Sequence, residues 1–65
     1  MADATPTELQ ALLGRLQAAQ RELIFTAART AMMPADGTLR RISDLENTIA
    51  AVEALIHEQK PERRT

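Results

Sequence analysis

The chain has 65 residues, a formal net charge of −1, a single aromatic residue and no cysteine. That length makes one domain at most and buries only about 60% of its unfolded surface, and no disulfide is there to staple it. Eight basic residues against nine acidic ones leave no basic face for nucleic acid, and Phe25 alone offers no stacking platform for bases.

Two further classes are disfavoured. His57 is the lone imidazole, so a metal cluster is not expected. No apolar run approaches the roughly 18 residues of a membrane span, and no signal-peptide pattern opens the chain. The expected location is therefore the cytoplasm, or a virion assembled there. What remains to stabilise so short a chain is oligomerisation or docking into a larger assembly.

The first element opens at Thr5-Pro6-Thr7-Glu8. Thr5 suits the N-cap, Pro6 the first helical position, and Glu8 completes a capping box. Strong helix formers follow, and a helix is predicted over about 7–32. Leu9, Leu12, Leu13, Leu16, Leu23 and Ile24 mark its apolar face, with Ala19 between them. A second set, Ala11, Gly14, Ala18, Phe25, Ala28 and Met32, also recurs at three- and four-residue spacing, interrupted by Arg21. One reading is a solvated face rich in good helix formers. The other is a candidate partner face, and Phe25 supports it, because an exposed phenyl ring is costly unless covered.

Pro34-Ala35-Asp36-Gly37 is the break, since proline stops a helix and Asp-Gly is a strong turn signal. The turn is placed at 34–37. Residues 30–33 either finish the first helix or pair with residues 38–42 as a short β-hairpin.

Beyond the turn, Ile42, Leu45, Ile49, Val52 and Ile56 follow a 3-and-4 alternation of branched aliphatics, the seam of a coiled coil. Ser43-Asp44-Leu45-Glu46 reads as another capping box. The second helix is predicted over about 39–59, or from 44 if Ser43 caps it; a start at Asp36 or Thr38 would leave Ser43 a surface serine. Pro61 ends it, and the polar tail 60–65 is expected to be loose. Arg41 and Glu46 flank the seam at positions suited to a pair across a parallel dimer. The hairpin alternative packs the same stripe inside the chain, with Leu9, Leu12, Leu16 and Leu23 against Leu45, Ile49, Val52 and Ile56.

Catalytic chemistry is nearly absent from the pattern. His57 lies near Glu53 and Glu58 with no nucleophile in view, and two glycines cannot build a phosphate loop. The acidic residues of the second helix suit a solvated face. No catalytic, cofactor-binding or metal-binding residue is assigned, and the protein is expected not to be an enzyme.

The segment Leu39-Arg40-Arg41-Ile42-Ser43-Asp44-Leu45-Glu46-Asn47-Thr48-Ile49-Ala50-Ala51-Val52-Glu53 resembles the C-terminal half of the small head–tail joining proteins of tailed phages, the gpW type. Ser43-Asp44-Leu45 matches the start of their second helix, and Ile49-Ala50-Ala51-Val52-Glu53 matches the pattern that follows. Glu8-Leu9-Gln10-Ala11-Leu12 and the basic pair Arg63-Arg64 are similar in kind. The resemblance implies an α-β-β-α fold, a ring assembly beneath the portal, and protein partners. The chain also looks like the two-helix hairpin protein of the large ribosomal subunit in length and second-helix pattern, but that family is strongly basic. Small hairpin chaperones of secretion systems share the architecture at neutral charge.

The expected fold is thus an all-α antiparallel two-helix hairpin, with α+β (α-β-β-α, hairpin around 30–42) as the alternative. The expected role is a structural or assembly protein, an oligomer or a component of a larger complex, possessing no cofactor. A hairpin adaptor or chaperone is the alternative, and an RNA-binding ribosomal protein the third reading.

Overall fold

The computed structural model describes residues 3–59. Two helices make up the fold: α1 spans Pro6–Ala28 and α2 spans Asp36–Gln59, packed side by side as an antiparallel hairpin. Of the two architectures read from the sequence, the all-α hairpin is the one that forms. No strand occurs among the described residues, so the β-hairpin around 30–42 is overturned. Residues 36–42 are helical instead. The predicted loose tail 60–65 lies outside the described residues.

The start of α1 follows from its first four residues. Thr5 is extended (φ −78°, ψ 161°), and its Oγ1 accepts the Glu8 amide at 3.1 Å. The Thr5 amide in turn donates to Glu8 Oε1 at 2.8 Å, completing the capping box with Pro6 at the first helical position. Two orphan donors are satisfied at once.

α1 stops at Ala28 rather than 32. The Arg29 amide is shared between the Phe25 and Thr26 carbonyls, 3.1 and 3.2 Å away, which tightens the last turn. Thr30 then closes it, its amide and its hydroxyl both donating to the Ala27 carbonyl at 3.3 and 2.9 Å. A following proline disfavours the α region for Met33, so the helix-favouring Ala31-Met32-Met33 has no continuation to join. The connector is therefore 29–35.

α2 starts at Asp36, the earliest of the starts read from the sequence and ahead of both 39 and 44. The Leu39 amide donates to the Ala35 carbonyl at 3.1 Å, which is the first bond of the helix. Asp36 thus sits in the first turn, where its carboxylate favours the helix dipole. Ser43 is consequently an exposed mid-helix residue and caps nothing.

The core is a single seam. On α1 it comprises Leu9, Leu13, Leu16, Gln20, Leu23 and Ala27, and on α2 Thr38, Ile42, Leu45, Ile49, Val52 and Ile56, all buried or half-buried. Both rows alternate steps of three and four, which keeps one stripe facing the partner helix. Leu9, Ile49 and Val52 are the buried ones, the others half-buried. Two helices can cover only one stripe of each other, so the rest of each surface meets solvent.

Candidate interaction surface

Of the residues assigned to the helix–helix seam, Leu9, Ile49 and Val52 are buried, while Leu12, Leu16, Leu23, Leu45 and Ile56 are half-buried. Ile24, grouped with the apolar face in sequence, lies on its flank and remains exposed, as do Leu39 and Leu55. Sequence reasoning missed Gln20. It stands four residues after Leu16 and three before Leu23, the spacing of a seam position, but hydrophobicity alone passes over an amide.

Gln20 makes the cross-helix polar contact. Its Nε2 donates to Glu46 Oε1 at 2.8 Å and lies 3.5 Å from the Ile42 carbonyl. Glu46 is thereby engaged inside the chain. A polar residue at a seam position specifies register, because sliding the helices would strand it among leucines.

The second face of α1 is where the molecule presents apolar surface. Ala11, Gly14, Ala18, Phe25 and Ala28 are all exposed along the back of α1, away from α2. Phe25 is 47% exposed. Its ring is partly covered by Arg21, whose Cζ lies 4.9 Å from the ring centroid, one helical turn earlier. Gly14, Gln17, Ala18, Arg21, Glu22 and Phe25 line a shallow open groove on this face. Met32 was assigned to the same helical face and is not on it. With α1 ending at Ala28, Met32 sits in the connector beside Met33, 79% and 81% exposed.

Other chemistry is sparse among the described residues. His57 is exposed in the last turn of α2. No three His, Cys, Asp or Glu side chains gather to hold a metal ion, and neither helix is long and apolar enough to cross a membrane. A second, smaller hollow at the connector is lined by Leu23, Thr26, Ala27, Thr30, Pro34 and Thr38. It is open to solvent and carries no charged group.

No family model, curated protein or solved structure matches the chain.

Proposed function

We propose that this protein is a non-enzymatic assembly component that acts through helix-mediated contacts with other proteins. The observation that carries the reading is the exposed apolar strip of α1: a half-exposed phenyl ring set among glycine and alanines on the face turned away from the hairpin seam. Small residues let another helix approach closely, and a ring beside them supplies an anchor of the kind that dominates protein interfaces. The specific class favoured is a head–tail connector component of a tailed phage or prophage; it rests on the sequence resemblance, mainly over residues 39–56, and not on the fold, since the α-β-β-α arrangement of that family does not form among the described residues. Synthesis in the cytoplasm and residence in a virion go with that class.

A chaperone or adaptor that shields a partner helix is the second reading. It is favoured by the exposed Met32-Met33 pair, since methionine side chains adapt to varied apolar partners. The ribosomal reading has the weakest support, because a net charge of −1 suits a phosphate-rich surface poorly.

The test is co-expression with the products of neighbouring genes. The connector reading expects co-purification with portal or capsid components and loss of that complex in Phe25→Asp. Co-purification with secretion components through Met32 and Met33 would replace it with the chaperone reading. Complexes indifferent to all three residues would overturn both.

A further inference from the structure

Glu8, Arg15, Glu22 and Arg29 recur every seventh residue with alternating sign, and all four are exposed, the first three on α1 and Arg29 at its C-cap, still in right-handed helical backbone. None has an opposite charge three or four residues away, so α1 offers them no intrahelical ion pair. They run along one side of the Ala11–Gly14–Ala18–Phe25–Ala28 strip. On its other side stand Gln10, Gln17 and Ile24, none of them charged.

Gly14 adds an independent observation. It lies mid-helix, where glycine weakens the helix. A Cβ built there would meet nothing within 4 Å. The hairpin itself makes no use of the missing side chain, so close approach by something outside it is the use that remains.

We infer that the occupant of this face is a second copy of the same chain, its α1 packed antiparallel against the first. The inference rests on the reading of this strip as a protein-contact face and names the partner. In an antiparallel pair, flanking positions of one kind face their own kind in the other helix. One register sets Glu8 of each copy opposite Arg29 of the other and Arg15 opposite Glu22, four ion pairs with no charge left over. A shift of one heptad in one direction sets Arg15 against itself, and in the other direction Glu22 against itself. A parallel pair would match the charged flank with the neutral one and form none of these contacts. The charge pattern therefore selects both orientation and register.

That same register orders the strip between the flanks. Ala11 meets Ala28, and Phe25 of one copy lies over Gly14 of the other, where no side chain blocks the ring. Ala18 meets the aliphatic stem of Arg21, whose guanidinium is already directed along its own helix over Phe25. The strip is centred about 150° round α1 from the seam, so α2 of each copy stays clear. The product is a flat row of four helices with the two α1 helices in the middle.

Sedimentation equilibrium of the full chain over a range of concentrations tests this. A dimer is expected, with Arg15→Glu weakening it about tenfold by turning two attractive pairs repulsive. Arg15→Glu/Glu22→Arg should restore the affinity, because the swap rebuilds both pairs. Gly14→Leu should weaken the dimer while leaving the helical signal of the dilute chain intact. A chain that stays monomeric, or a dimer on which the single and double charge variants act alike, would overturn the self-pairing. A monomer that still requires Phe25 to hold a neighbouring gene's product would sink the self-pairing alone and leave the assembly reading in place.

Discussion

At position 20 an apolar seam is interrupted by an amide, and the consequences are measurable. Gln20→Leu would fill that layer with hydrocarbon and release Glu46 to solvent. The expected gain is about 1 kcal/mol in urea unfolding, with the register less tightly specified, since polar seam residues exchange stability for specificity. Gly14→Ala should also stabilise the dilute chain, by about 0.5–1 kcal/mol, because the added methyl meets no neighbour within 4 Å. Legibility at this scale followed residue type in part. Leu9, Ile49 and Val52 announced their burial by hydrophobicity and spacing, whereas Ile24, as apolar as they are, stays exposed. Gln20 did not announce its place, although its spacing from Leu16 and Leu23 was there to be read, and its bond to Glu46 depends on α2 being at hand.

The two capping motifs show why helix limits are harder to read than helices. Thr5-Pro6-Thr7-Glu8 and Ser43-Asp44-Leu45-Glu46 have the same form, but only the first caps a helix. Thr5 follows residues that are not helical, so its side chain is free to turn back on the Glu8 amide. Ser43 is preceded by nearly two turns of helix already nucleated at Asp36, and it has no free amides to cap. The paired prediction is that Thr5→Ala costs about 1 kcal/mol, whereas Ser43→Ala costs nothing and gains a few tenths through helix propensity. Chemical denaturation of both variants checks it, and a loss at Ser43 equal to that at Thr5 would contradict the start at Asp36. The end of α1 was equally hidden, because it depends on Thr30 capturing the Ala27 carbonyl rather than on any breaker before Pro34.

Across the whole molecule, the hairpin was legible because two stripes of matched length flank one proline-containing break. Which surface lies outside the seam was legible too, while the flank position of Ile24 and the connector position of Met32 depended on where each helix is phased and where it ends. With one seam and three buried side chains among the described residues, stability is concentrated. Ile49→Ala should cost about 2–4 kcal/mol, a large share of what so small a protein holds. Circular dichroism should show most helical signal lost well below the parent's midpoint. The positions of those three residues carry a further consequence. Leu9, Ile49 and Val52 all lie toward the end of the hairpin remote from the 29–35 connector, while the layers next to the connector are only half-buried. The chain must therefore close a loop of some forty residues before its best contacts reward it, and that entropy falls on the folding rate. A circular permutant opened between Met32 and Met33, with a short linker joining the original ends, would place the covalent tie beside the core. Such a chain should fold faster than the natural order, and the connector would be revealed as a tether chosen for topology rather than for speed.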